Sequence, residues 1–209
     1  MLFRSETALP SPPVRAEGQL IVFLGDSLTA GFGLASEAAL PDQMQARLRD
    51  AGLDVSIVNA GVSGDTTANG LARYAWSVGS LEPDTVIIAL GVNDYLLGLS
   101  SDITRANLAA LIEQAQADGT SVILAGLEPR FDAPEGSRDA AFAAIYPELA
   151  ATYDVPLYPA LMRGVRDNPD LLQGDGLHPT TAGVVVMADQ MATFLIPLLE
   201  VEARQPVSE

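Results

Sequence analysis

The chain contains no cysteine. A disulfide framework, a thiolate zinc site and a cysteine nucleophile are therefore excluded. Basic residues are scarce: 11 Lys and Arg stand against 27 Asp and Glu, a formal net charge of −16. Binding to nucleic acid or to an anionic membrane surface needs clustered positive charge, so neither is expected as a partner. Long apolar runs are also missing. The most apolar stretch, Ala182 to Leu199, is interrupted by Asp189, Gln190 and Pro197. It reads as a buried C-terminal helix, not a membrane span. The first residues carry Arg4, Glu6 and three prolines in place of the continuous apolar core of a signal peptide, which reads as cytoplasmic. No internal repeat, low-complexity block or domain boundary is visible.

What is present is enough chain for one domain with a sizeable core: 209 residues, 48% of them hydrophobic. The pattern predicts a flexible extension over 1–18, a single domain over 19–200 and a frayed tail over 201–209. Leu20 to Leu24, Val55 to Val58, Thr85 to Leu90, Ser121 to Ala125 and Val155 to Tyr158 read as strands; the first, and the third after Thr85, are continuous apolar runs, as in strands buried on both faces. Helices are expected over Ser36–Ala51, Thr66–Val78, Asp139–Thr152 and from Thr180 or Thr181 onward. Another is marked by Leu108, Leu111, Ile112 and Ala115 at i, i+3, i+4, i+7, with Gly119 as its stop. Strands alternating with helices imply an α/β fold, a parallel sheet covered on both faces.

Ligands of such sheets bind beyond the carboxyl ends of the strands. Three loops at that end combine glycine with small polar residues: Gly25-Asp26-Ser27-Leu28, Asn59 to Asp65, and Gly91-Val92-Asn93-Asp94. The single histidine, His178, lies in Gly174-Asp175-Gly176-Leu177-His178-Pro179. A serine nucleophile needs a base, and His is the usual one because its unperturbed pKa is about 6.5. Asp175, three residues earlier in a glycine-containing loop, can fold back onto Nδ1–H and leave Nε2 for a serine. Each residue also has a plain structural reading. The lone His178 could be a surface or core residue, Ser27 could cap a helix, Gly64 could serve a turn with positive φ, and Asn93 could sit in an αL or Asx turn. Four such coincidences at one end of one sheet are harder to accept than one site.

These residues resemble the SGNH (GDSL) hydrolase family. Gly25-Asp26-Ser27-Leu28 is similar to its block I, Gly64 stands at the block II glycine, Gly91-Val92-Asn93-Asp94 fits the G-x-N-D of block III, and Asp175-Gly176-Leu177-His178 fits the D-x-x-H of block V. Longer runs, including Leu24 to Gly31, Gly70-Leu71-Ala72-Arg73 and Ala144-Ile145-Tyr146-Pro147, resemble the bacterial thioesterase I, protease I and lysophospholipase group, which includes arylesterases. Val92 departs from that group, which often has glycine there.

The resemblance implies a flavodoxin-like three-layer α/β/α sandwich with a five-stranded parallel sheet in the order 2-1-3-4-5. It implies no metal and no cofactor. It implies Ser27, Asp175 and His178 as catalytic residues. Ser27 and Gly64 would act through backbone N–H groups, with the Asn93 amide, as the oxyanion hole, where losing one donor typically costs about 10²–10³ in kcat. The implied reaction is cleavage of acyl esters of short to medium chain, aryl esters, thioesters or lysophospholipids by a monomer or small homo-oligomer, with a periplasmic location. Candidate substrate contacts are Asp26, Asp94, Tyr95, Leu96, Leu97 and Leu127. Leu96, Leu97 and Leu99 line an acyl pocket or pack into the core. Rival readings are a carbohydrate deacetylase using the same triad, and a phosphate- or flavin-binding module. The second requires a G-x-G-x-x-G or P-loop after strand one, which Gly25 to Gly31 does not contain.

Overall fold

The computed structural model describes residues 18–127 and 134–202. The sheet has five parallel strands: β1 (Gln19–Gly25), β2 (Val55–Gly61), β3 (Thr85–Ala89), β4 (Ser121–Ala125) and β5 (Leu157–Tyr158), in the order β2-β1-β3-β4-β5. This is the expected 2-1-3-4-5 sheet. Alternate residues of each apolar strand serve opposite faces, as the two-residue repeat of a strand requires. Ile21, Phe23, Ile87 and Ile123 enter one core cluster; Val22, Leu24, Val86, Ile88, Val122 and Leu124 enter the other.

Helices α2 (Leu40–Asp50) and α7 (Thr181–Glu202) cover the first face, through Leu40, Met44, Leu48, Met187, Met191 and Leu195. Helices α3 (Thr67–Ser77), α5 (Ser101–Ala117) and α6 (Arg138–Tyr153) cover the second. Two short helices, α1 (Ser27–Ala30) and α4 (Val92–Leu96), follow β1 and β3 directly. The predicted stripe of α5 is buried at Leu108, Leu111, Ile112 and Ala115.

Several boundaries differ from the sequence reading. The helix expected over Ser36–Ala51 is a 3-10 turn, Ser36–Ala38, then an extended Ala39 (ψ 153°), then α2. Pro41 explains the restart: without an N–H it suits the first turn of a helix. β5 is shorter than Val155–Tyr158, because the Val155 N–H is taken by the Ala150 carbonyl at the end of α6 and Pro156 has none to give. The expected extension lies outside the described residues except for Gly18, and α7 runs two residues into the expected tail. By length and apolarity α7 would suffice to cross a membrane. However, Val184, Met187, Ala188, Met191, Leu195 and Leu199 are fully or almost fully buried against the sheet.

The strand register decides where the chemistry sits. Gly25 pairs with Gly61 on one side and Ala89 on the other. The loops after β1, β2 and β3 therefore leave the sheet at one level.

Candidate active site

Ser27 is the first residue of α1. The helix cap is Asp26, whose carboxylate accepts the Leu28 N–H at 3.0 Å, so the capping role considered for Ser27 belongs to its neighbour. The turn is held hard against the end of β2. A Cβ on Gly61 would lie 2.3 Å from the Ala30 nitrogen, so only a bare backbone allows this approach. Ser27 is thereby fixed on a short, tightly packed turn at the sheet end.

His178 arrives from the opposite end of the chain. Its Nε2 lies 2.9 Å from Ser27 Oγ, and its Nδ1 lies 2.7 Å from Asp175 Oδ2. The other carboxylate oxygen of Asp175 accepts the backbone N–H groups of His178 at 3.0 Å and Leu177 at 2.9 Å. These two N–H groups, His178 first, and then the imidazole contact hold the Asp175 carboxyl down at about 2. It is therefore ionised near neutrality and can only accept. Nδ1 must then carry the proton, and Nε2 is left to take one from Ser27. The Phe32 ring lies against the imidazole, centroids 4.5 Å apart, a contact with no sequence signal.

Gly64 follows β2 with φ +88°. A Cβ there would meet nothing within 4 Å, so the glycine serves the backbone conformation and not a close approach. Asn93 lies in the first turn of α4, not in an Asx turn, and its Nδ2 donates to the Asp65 carbonyl at 2.9 Å. That bond fixes which end of the amide is the donor and leaves a second N–H for another acceptor. Asp65 is itself clamped. The Arg73 Nε donates to Asp65 Oδ2 at 2.6 Å, and Nη2 donates to the Gly25 carbonyl at 3.0 Å. Arg73 is 7% exposed. One buried guanidinium thus joins the residue before Asp26 and Ser27 to the residue after Gly64, with Asn93 hanging from the same point. The sequence reading included Arg73 only within a run of resemblance.

Ser27, Gly64, Asn93 and His178 all line one cavity of about 960 Å³. This volume lies at the upper end for sites that hold small organic ligands. Its apolar wall comes from both faces of the sheet: Tyr95, Leu96 and Phe142 on one side, Leu161, Met162 and Leu172 on the other. Of the expected substrate contacts, Tyr95, Leu96 and Leu127 line this cavity. Asp26 and Asp94 do not. Asp26 is 1% exposed and caps α1. Asp94 is fully buried and binds the Thr67 N–H at 2.8 Å, Thr67 Oγ1 at 2.5 Å and Thr104 Oγ1 at 3.2 Å. It pins α4 to α3 and α5. Leu97 and Leu99 neither line the cavity nor enter the core; Leu97 is 66% exposed. Tyr95 and Leu96 lie inside α4, and Leu97 caps its end. The residues after Leu127, up to 133, lie outside the described residues. Among the described residues no three His, Cys, Asp or Glu side chains group as metal ligands.

Comparison with known proteins gives this geometry a context. The GDSL-like Lipase/Acylhydrolase family matches residues 23–185. Esterase TesA of Pseudomonas aeruginosa is 35% identical over 186 residues, 88% of this chain and 92% of that protein. Thioesterase 1/protease 1/lysophospholipase L1 of Escherichia coli K12 is 36% identical over 185 residues, 88% of this chain and 86% of that protein. The crystal structure of the psychrotrophic esterase EstA from Pseudoalteromonas sp., inhibited by monoethylphosphonate, superposes with a TM-score of 0.80 at 27% identity, covering 87% of this chain and 99% of that one. With the family match spanning every strand end that builds the cavity, this chain belongs to the GDSL-like lipase/acylhydrolase family.

Proposed function

We propose that this protein hydrolyses carboxylic acyl esters through an acyl-enzyme on Ser27. The observation that carries the reading is the unbroken hydrogen-bonded line from Asp175 through His178 to Ser27, 2.7 and then 2.9 Å, on the wall of a largely apolar cavity. In this reading His178, oriented by ionised Asp175, takes the Ser27 proton as Oγ attacks the acyl carbonyl. The backbone N–H groups of Ser27 and Gly64 and the second N–H of Asn93 receive the oxyanion. The Asp65 carbonyl supports that role by holding the Asn93 amide donor-inward. His178 then protonates the departing alcohol or thiol, and water releases the acyl group.

Family membership and the names of the relatives support the ester hydrolase class: esterase in one, thioesterase and lysophospholipase in another. The apolar wall favours acyl chains longer than acetyl, against the deacetylase alternative. Small-molecule aryl esters, acyl thioesters and lysophospholipids are the substrates proposed. The test is hydrolysis of p-nitrophenyl esters from acetyl to palmitoyl by wild type and Ser27→Ala. Wild type is expected to peak at short to medium chains longer than acetyl, and Ser27→Ala to fall to background at every length while keeping its thermal midpoint. Turnover that survives Ser27→Ala would remove Ser27 as nucleophile. An acetyl optimum would favour the deacetylase.

A further inference from the structure

The loop that carries Asp175 and His178 is poorly supported by burial. Gly174, Asp175, Gly176 and Leu177 are all exposed, Leu177 by 53%. Backbone bonds close the loop on itself: the Gln173 N–H donates to the His178 carbonyl at 2.7 Å, and the Gly176 N–H donates to the Gln173 carbonyl at 2.9 Å. These bonds give the loop its shape. They do not tie it to the part of the site that carries the nucleophile, 151 residues away along the chain.

The side chain of Gln173 supplies such a tie. Its Nε2 donates to the Phe32 carbonyl at 2.8 Å and to the Pro179 carbonyl at 2.9 Å. Phe32 belongs to the nucleophile's own turn, since its N–H donates to the Ser27 carbonyl at 3.1 Å. Pro179 directly follows His178. The same Phe32 packs its ring on the imidazole at 4.5 Å. One amide therefore joins the backbone on the Ser27 side to the backbone on the His178 side, and the residue it grips also covers the ring. The chain leaves room for this: a Cβ on Gly33 would lie 2.5 Å from Gln173 Oε1, and Gly33 sits at φ +75°.

We propose that Gln173 is a positioning residue for acyl transfer. Acting through Phe32 and Pro179, it holds the His178 imidazole at hydrogen-bonding distance from Ser27 Oγ. This rests on the reading of Ser27 and His178 as nucleophile and base. Gln173 touches neither reacting atom. Its contribution is geometric, and a misplacement of about 1 Å in such a pair can cost on the order of 10² in rate.

The experiment compares Gln173→Met and Gln173→Glu with wild type. Both keep the side chain's length; methionine has no donor, and glutamate sets a carboxylate against two carbonyls. kcat and KM are measured on a p-nitrophenyl ester, with the thermal midpoint and the imidazole Nδ1–H proton resonance. That resonance needs no assignment, because the chain has one histidine. The expected result is a fall in kcat of roughly 10- to 100-fold, larger for glutamate, with KM and the thermal midpoint little changed and the resonance broadened. Wild-type kcat with a sharp resonance in both variants would overturn the proposal. So would a loss of rate matched by unfolding, which would make Gln173 a merely structural residue. Phe32→Leu, which keeps the carbonyl and removes the ring, is expected to lose less than either. Ser27→Ala and His178→Ala run alongside: activity surviving in them defeats the acyl-enzyme reading itself, whereas an inert Gln173 defeats this proposal alone.

Discussion

At the scale of single residues, Asp26 shows a cost built in beside Ser27. Burial pushes its carboxyl up to about 6, against the opposing pull of the Leu28 N–H and of His178. A folded-state value above the ordinary 3.8 means that the protonated form suits the fold better than the charged one. That contribution is fully present below about pH 4 and is lost as the pH rises through 6. A displacement of about two pH units corresponds to on the order of 3 kcal/mol. Asp26→Asn keeps the acceptor that caps α1 and removes the buried charge. It is expected to raise unfolding free energy by about 1–3 kcal/mol at pH 8, with the gain shrinking toward zero at pH 4. Denaturant titrations at the two pH values measure this. An equal gain at both would show that the buried charge is not what penalises the fold. Asp175 runs the opposite way. Its carboxyl is held low, so the loop bonds it accepts are in force above about pH 4 and weaken as the pH falls through 2.

At the scale of elements, what was legible is what burial alone determines. β1 and β3 read correctly because a strand covered on both faces must be apolar at every position. α5 read correctly because Leu108, Leu111, Ile112 and Ala115 repeat with the helix. The misreadings fall where backbone chemistry overrides pattern: Pro41 restarts a helix, Pro156 shortens a strand, and α1 and α4 are too short for any periodicity to show. α7 is the ambiguous case, since a core helix and a membrane span share its composition. Its buried face decides between them. Met191→Ala, at a fully buried position, is expected to cost about 2–5 kcal/mol in a denaturant titration. A cost under about 0.5 kcal/mol, the range of an exposed position, would mean that this face of the helix does not pack on the sheet.

At the scale of the whole molecule, the residues proposed to react were visible in the sequence and the cavity around them was not. Ser27, Gly64 and Asn93 follow strands in glycine-containing loops, Asp175 and His178 stand three residues apart around the single histidine, and the resemblance to the SGNH blocks joins the five. Phe142, Leu161, Met162 and Leu172 carry no such mark, because an apolar residue looks the same in sequence whether it faces a core or a cavity. Asp26 and Asp94 show the complementary limit: a motif names a carboxylate but not its buried partners, here the Leu28 N–H for Asp26 and Thr67 and Thr104 for Asp94. The net charge of −16 acts on the molecule as one field. It opposes approach of an anionic acyl-CoA thioester and leaves a neutral p-nitrophenyl ester untouched. Salt between about 0.01 and 0.3 M shrinks the screening length from roughly 30 Å to under 10 Å. kcat/KM for the thioester is therefore expected to rise over that range while the value for the neutral ester stays flat. Among the described residues, Arg166 lines the cavity wall together with Asp139 and Asp167. A thioester rate that falls with added salt would mean that the potential at the mouth is locally positive and not set by the charge of the whole chain, and loss of that dependence in Arg166→Gln would assign it to Arg166.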